Sequence, residues 1–221
     1  MPVFYEARHA GEFILTEANG RRSRENLTIA ENQEFQAGTI LALIAVPDAV
    51  TASVSAVHGN TGDGALSLAD PAVSAKAKNG DYRVVCIEAA AGGGKFKVED
   101  PSGVGIGTAT VGTAFNREVK FTIAAGSTDF VVGDAFTITV GVEAGDYQAV
   151  AYDPEGADGG EVAGAIAIYG AKTGAGETVK IAGLVRDCEV NGHILAWPEG
   201  ITAEKKAAAI AALAEAGIIV R

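Results

Sequence analysis

Between residues 59 and 140 the chain is written largely in period two. The runs KFKVE (95–99), EVKFTI (118–123) and AFTITV (135–140) each set apolar side chains on one face and polar or small ones on the other. Successive side chains leave a strand on opposite faces, so this alternation marks half-buried antiparallel strands. Residues 82–87 (YRVVCI) carry apolar groups on both faces and are expected at the centre of a sheet. Gly62-Asp63-Gly64, Asn79-Gly80-Asp81, Gly92-Gly93-Gly94 and Asp100-Pro101-Ser102-Gly103 punctuate these runs as turns. Strands this short and this regularly interrupted bury their apolar faces by packing sheet on sheet, and the block is expected to be a small β-sandwich.

The text on either side differs. Residues 37–46 (AGTILALIAV) and 147–152 (YQAVAY) read as strands in need of partners, and residues 202–216 form one convincing helix. Thr202 is a good N-cap, Glu204 complements the positive end of the helix dipole, Ile210, Leu213 and Ala214 make a narrow apolar stripe, and Gly217 stops the run. Ile218-Ile219-Val220 reads as a final strand. The expected fold class is mainly β with one C-terminal helix. A mixed β domain, residues 31–58 and 141–221, is interrupted by the sandwich at 59–140 and preceded by a segment at 1–30.

Composition narrows the function classes. With 221 residues, 48% of them hydrophobic, the chain can bury a core in one large or two small domains. Its net charge of −11 repels a polyanion before contact, so nucleic acid is not an expected partner. Residues 1–30 are an exception to that charge. Arg8, Arg21, Arg22 and Arg24 balance Glu6, Glu12, Glu17 and Glu25 there, and the Arg21-Arg22-Ser23-Arg24 cluster reads as a solvated turn. The opening residues lack the pattern of a secretory signal and no apolar run is long enough to span a bilayer, so no membrane role is expected and the chain reads as a soluble protein made in the cytosol. Cys86 and Cys188 lie far apart in apolar, strand-like text and are expected as buried thiols.

The search for chemistry yields turns. Residues 89–96 (AAAGGGKF) resemble a phosphate loop only superficially: Ala89 stands where a glycine is needed, and Phe96 where a magnesium-binding hydroxyl is needed, so a hairpin turn is expected. Residues 103–112 (GVGIGTATVG) lack the strand-turn-helix context of a dinucleotide site and read as a flexible β-edge. Asp153, Glu155, Asp158 and Glu161 do not match the spacing of a calcium loop, and Pro154 with its neighbouring glycines accounts for them as an exposed turn. His9, His58 and His193 have no cysteine or histidine at ligand spacing. A Cys188/His193 pair is formally available, but hairpin packing explains it better. No catalytic, cofactor or metal site is expected, and the chain does not read as an enzyme.

The flanks resemble a known family. Residues 147–153 and 160–168, followed by Leu195-Ala196-Trp197-Pro198-Glu199 leading into a helix that bears Lys205-Lys206, are similar to the lambda-type bacteriophage head decoration proteins. The opening FILTEANGRRSRENLTI resembles the long-arm branch of that family. The likeness covers residues 11–58 and 141–221. The block at 59–140, absent from compact members, is similar to small β modules grafted onto phage virion proteins. The resemblance implies a non-enzymatic homotrimer on the outer surface of the virion, assembled in the host cytoplasm. It would cap three-fold and quasi-three-fold positions of the expanded head, with the major capsid protein as partner, and brace the shell against internal DNA pressure.

Residues 1–30 then read as a capsid-binding arm. Phe13, Ile14, Leu15, Leu27 and Ile29, with Arg21, Arg22 and Arg24 between them, offer too little apolar surface to fold alone and suit strand addition to a partner's sheet edge. The alternative is an ordinary N-terminal strand of the same domain. Trp197, Pro198 and Glu199 are the candidates for trimer packing, combining a large aromatic with a rigid turn. A competing function is a surface-binding module in which the sandwich binds carbohydrate, although its few aromatics fall mainly on faces expected to be buried.

Overall fold

The computed structural model describes residues 8–221, so residues 1–7 of the expected arm lie outside the described residues. The chain divides into two compact units, Met1–Ile44 with Gln148–Arg221, and Ala45–Tyr147. In chain order the first unit begins with β1 (Ile14–Glu17), β2 (Arg24–Ile29), β3 (Glu34–Phe35) and β4 (Ile40–Ala45). The second holds β5 (Thr51–Ala56), β6 (Ala65–Val73), β7 (Gly80–Ala90), β8 (Gly93–Glu99), β9 (Gly105–Thr110), β10 (Phe115–Asn116), β11 (Val119–Ala124) and β12 (Ala135–Gly141). The first resumes with β13 (Tyr147–Ala151), β14 (Ala163–Ala167), β15 (Ala171–Lys172), β16 (Val179–Leu184), β17 (Cys188–Val190), helix α1 (Ala203–Glu215) and β18 (Ile218–Val220). The protein is mainly β with a single C-terminal helix.

The second unit is two facing sheets, ordered β5-β12-β7-β8-β9 and β10-β11-β6. The alternating runs bury as their period predicts: Phe96 and Val98 on β8, Phe121 and Ile123 on β11, and Phe136, Ile138 and Val140 on β12 all point into one core. The doubly apolar β7 is the central strand of its sheet, and the glycine-spaced β9 is an edge strand. Phe96 and Phe130 meet edge to face at 5.0 Å, an arrangement the ring quadrupole favours. Gly64 makes room for Phe130, since a Cβ there would sit 2.3 Å from its Cζ. The unit runs from residue 45 to 147, wider than the expected 59–140, because β5 pairs with β12 along its whole length, from Ala56↔Phe136 to Thr51↔Gly141.

Two buried carboxylates tie this unit's loops. Asp134 accepts backbone N–H groups from Thr61 at 2.8 Å, Gly62 at 2.9 Å and Val131 at 3.0 Å. Asp100 accepts from Ser102 and Val104 and pairs with Lys78. Beside it, the fully buried Tyr82 donates to Glu118 at 2.7 Å and accepts from the Lys78 N–H at 2.9 Å. Burial alone would raise both aspartates. The summed backbone donors around Asp134, and the Lys78 ammonium with its neighbouring N–H groups around Asp100, outweigh burial and hold both carboxyls below the ordinary range.

The first unit is built on a closed barrel in the order β13-β2-β16-β14-β4. Small and branched side chains, Leu27, Ile29, Leu41, Ala149, Ala165 and Ala167, form one cluster. β14 is buried on both faces, sending Ala165 and Ala167 into that cluster and Ile166 into a second one. The second cluster is completed by Leu213 of α1, Ile218 of β18 and Val190 of β17. Gly183 on β16 cannot carry a side chain, because its Cβ would lie 2.4 Å from Leu27 Cδ1. The helix starts where its cap predicts: Thr202 Oγ1 accepts the Lys205 N–H at 3.3 Å, and Gly217, at φ 80°, turns the chain into β18. β18 lies parallel to β17, which pairs on its other side with β1.

Candidate functional site

The residues read as an arm are divided by the fold into inward and outward sets. Phe13 is 1% exposed and packs in the cluster with Leu213 and Ile218, and its carbonyl accepts the Asn191 N–H at 2.8 Å. Leu27 and Ile29 are buried in the barrel, where β2 pairs antiparallel with β16 from Ile29↔Val179 to Arg24↔Leu184 and parallel with β13 at Ala149. Ile14 is half-buried against the core. From Phe13 onward the segment is therefore part of the first unit's sheets, and the expectation that it stands apart is corrected. Its apolar residues find a β-hydrogen-bonded environment and a core within their own chain.

The outward set is Leu15, 51% exposed on the edge strand β1, with Arg21, Arg22 and Arg24. Arg24 grips Glu17 with two nitrogens, at 2.6 and 2.5 Å, and this hydrogen bonding holds the Glu17 carboxyl below its ordinary value. Arg22 reaches Asp187 at 2.7 Å, and Arg186 pairs with Glu25. Sequence reasoning missed the residue that fixes this turn. Ser23, 1% exposed, accepts the Ala18 N–H at 3.0 Å and donates to the Asp187 carbonyl at 2.8 Å. Asp187 is held at φ 48°, a conformation that aspartate tolerates. The arginine cluster is thus a braced, charge-paired turn beside an apolar edge strand.

Trp197, Pro198 and Glu199 lie elsewhere on the same unit. Trp197 donates its ring N–H to the Gly192 carbonyl at 3.1 Å, and Lys206 sits 4.7 Å from the ring centroid. Trp197 and Pro198 form one wall of an open depression of about 740 Å³, with Phe35, Thr39, Tyr152 and Lys172 among its other lining residues. Lys172 is paired with Glu34 at the rim, at 2.8 Å. Glu199 is exposed next to this wall and does not line it. The structure therefore brings Trp197 and Pro198 together with aromatic and aliphatic surface, and keeps them apart from the Arg21–Arg24 turn, which lines a different depression with Glu17 and Glu25. Phe35 and Tyr152 were not singled out from sequence; each is one aromatic in a short strand or strand end, and only the fold shows that they face Trp197.

The possible chemical sites resolve into structural ones. Burial pushes the Cys188 thiol up to about 11, so it stays protonated at neutral pH and is no nucleophile for the exposed His193. Cys86 is likewise buried, free and raised. Residues 89–96 form the β7–β8 hairpin, in which Lys95 pairs with Glu88 at 2.8 Å. In the 153–161 turn, Asp153 accepts the Glu155 N–H at 2.9 Å, Glu161 accepts that of Gly159 at 2.8 Å, and Glu155 pairs with Lys205. Among the described residues, no group of three His, Cys, Asp or Glu side chains is placed to hold a metal ion, and no helix is long and apolar enough to cross a membrane.

Comparison with known proteins gives one family. The family model described as bacteriophage lambda head decoration protein D matches residues 3–218. No curated protein matches. Two crystal structures of Xanthomonas campestris FlgL align at 20% and 21% identity, over 52% of this chain and 34% of theirs, each with a TM-score of 0.30. The chain thus spans about a third of the FlgL chains it matches.

Proposed function

The chain belongs to the family of bacteriophage lambda head decoration protein D, and from that premise we propose that it is a structural, non-enzymatic component of a phage virion. It binds the outer surface of the expanded head as a homotrimer at three-fold and quasi-three-fold positions and braces the shell against the pressure of packaged DNA. The observation that carries this reading is the family match running from residue 3 to 218, through both units of the fold.

The capsid contact is assigned to the N-terminal region. β1 is an edge strand with Leu15 exposed on it, and the adjoining turn presents Arg21 and Arg22 to solvent on a backbone braced by Ser23. An edge strand with an apolar residue beside fixed charges suits strand pairing with the major capsid protein, where backbone bonds supply affinity and side chains supply register. The wall built by Trp197 and Pro198, with Glu199 beside it, is the proposed trimer contact. Three linked capsid contacts per trimer raise effective concentration and lift weak individual binding by roughly 10² to 10⁴.

A carbohydrate-binding role for the second unit gains no support. Tyr82, Phe96, Phe115, Phe121, Phe130 and Phe136 are all buried in its core and cannot stack on a sugar. The proposed function is tested by mixing the purified protein with expanded and unexpanded shells and pelleting them. Saturable co-sedimentation with expanded shells alone, together with trimer mass at sedimentation equilibrium, is the expected result. Equal binding to both shells, or none, overturns the decoration reading.

A further inference from the structure

Asp134 and Asp100 are the two buried carboxylates among the described residues, and they are satisfied in different ways. Asp134 is met by backbone N–H groups. Asp100, whose side chain has no exposed surface, also meets a primary amine. Its Oδ1 accepts the Ser102 N–H at 2.9 Å and the Val104 N–H at 2.8 Å, and its Oδ2 is in direct contact with Lys78 Nζ. Glu118, in the connection between β10 and β11, stands with Oε1 3.9 Å from the same Nζ. The other Glu118 oxygen is fixed by the Tyr82 hydroxyl, which in turn accepts the Lys78 N–H.

These are the parts of an acyl transfer. Lys78 supplies a nucleophile, Asp100 a carboxyl carbon, Ser102 and Val104 a pair of backbone donors on one carboxyl oxygen, and Glu118 a second carboxylate that can carry protons. An ion pair needs only the first two. The exposed pairs Lys95–Glu88 and Lys172–Glu34, each at 2.8 Å, are such pairs, with both partners partly in water. Lys78 and Asp100 are instead held together by the fold, the one through its backbone N–H on Tyr82 and the other through its own turn, which gives the amine a high effective concentration at the carboxyl.

We propose that Lys78 and Asp100 condense spontaneously into an isopeptide bond, Nζ to Cγ, within the folded second unit, with Glu118 as the proton carrier. The resting groups are an ammonium and a carboxylate. One ammonium proton passes to Asp100 Oδ2 across their contact, giving an amine and a carboxylic acid with no change in net charge. Nζ then attacks Cγ, and the Ser102 and Val104 N–H groups receive the negative charge that develops on Oδ1. Glu118 takes a second proton from Nζ and delivers it to Oδ2, the Cγ–Oδ2 bond breaks, and Oδ2 leaves as water. Nζ keeps one hydrogen as the amide, Glu118 ends as it began, and no oxidant or co-reactant is consumed. Lys78 is half exposed, which leaves that water a way out. Hydrogen bonding to Asp100 holds the Lys78 ammonium above its ordinary value, so the neutral pair is a minor form and the bond accumulates slowly. The link joins the connection between β6 and β7 to the end of β8. It is a single modification of the chain itself and does not rest on the decoration reading.

The test uses the full chain without capsids. Folded protein is kept at neutral pH, and samples taken over days are unfolded, digested with trypsin and weighed by mass spectrometry. The bond removes the cleavage site after Lys78, so the expected product is a branched peptide, residues 77–83 joined to residues 98–117, lighter than their sum by one water and increasing with time. Dehydration within one aspartate gives the same loss of mass but leaves the two peptides separate. Lys95 and Glu88 in the same samples are expected to stay unlinked. Glu118→Gln, shown to be folded by circular dichroism, is expected to slow accumulation by roughly 10², and Lys78→Arg to abolish it. Absence of the branched peptide throughout, its formation at the same rate in denatured protein, or an unchanged rate in folded Glu118→Gln overturns the proposal.

Discussion

Phe13→Ala decides whether the N-terminal segment is part of the folded unit or is held out as an arm. The ring is 1% exposed, packs with Leu213 and Ile218, and closes on Gly38, where a Cβ would come within 3.3 Å of Phe13 Cδ1. The backbone bond from Asn191 to the Phe13 carbonyl survives the substitution, so the loss is confined to the ring and the cavity it leaves. Removing a buried phenylalanine costs about 3–5 kcal/mol, a large part of the 5–15 kcal/mol that ordinarily holds a domain together. The readout is favourable, because the only tryptophan of the chain, Trp197, lies in the same unit and reports its unfolding separately from the sandwich. In a urea titration followed by Trp197 emission, the midpoint is expected to fall sharply with little change in slope. Leu15→Ala, two residues on and 51% exposed, is expected to move the same transition by less than about 0.5 kcal/mol while lowering capsid occupancy. A Phe13→Ala shift below about 1 kcal/mol would refute the reasoning, since the ring could not then be packed in the free protein.

The sandwich should be acid-sensitive. Asp100 and Asp134 have folded pKa values below the ordinary carboxylate value of about 4, so their stabilisation is present above that value and is lost as pH falls through the lowered ones; circular-dichroism melts of the second unit should show this limb. Asp134→Asn replaces one of the two accepting oxygens by an NH2, so that either the Thr61 N–H or those of Gly62 and Val131 face a donor, and it should cost about 1–3 kcal/mol in that unit and flatten the acid limb. Thr202→Ala should lower the Trp197-reported transition by about 0.5–2 kcal/mol through loss of the cap on Lys205. Replacing residues 47–145 by a short glycine linker should leave the first unit folded by the same fluorescence signal, whereas cutting at 60–140 strands β5 without β12 and should give an aggregating product.

What could be read from sequence follows from which residues carry a side-chain signal. The strands at 95–99, 118–123 and 135–140 were legible because one face of each is buried and the other is not. β5 was not, since Thr-Ala-Ser-Val-Ser-Ala alternates only between small residues and is recognised by its pairing with β12. In β2 the alternation of Leu27 and Ile29 with Asn26 and Thr28 was in view, but among arginines and glutamates the segment offered too little apolar surface to be read as core. Arg24 pairs with Glu17 and Glu25 with the distant Arg186, while Leu27 and Ile29 of the same strand are buried. Ser23 and Asp134 were invisible for a different reason. Their partners include backbone groups distant in sequence, and no spacing of side chains encodes them.

The place of the insertion follows from the same geometry. β4 and β13 are neighbours in the closed barrel, so the connection between them leaves one strand and returns to the next. Val46 N–H donates to the Asp146 carbonyl at 2.7 Å, so the chain enters and leaves the second unit side by side. To the barrel, a folded sandwich attached at two adjacent points acts as a short loop, whatever its length in residues. Even as an open loop, each doubling of length would add only about 0.6 kcal/mol of closure entropy. The sandwich's own ordering cost, at roughly 1–2 kcal/mol per residue of backbone, is opposed by its own core of Tyr82, Phe96, Phe121, Phe130 and Phe136 and does not draw on the barrel's. Ala163↔Ala42 and Ala149↔Ile29 are the barrel pairings nearest the junction on its two sides.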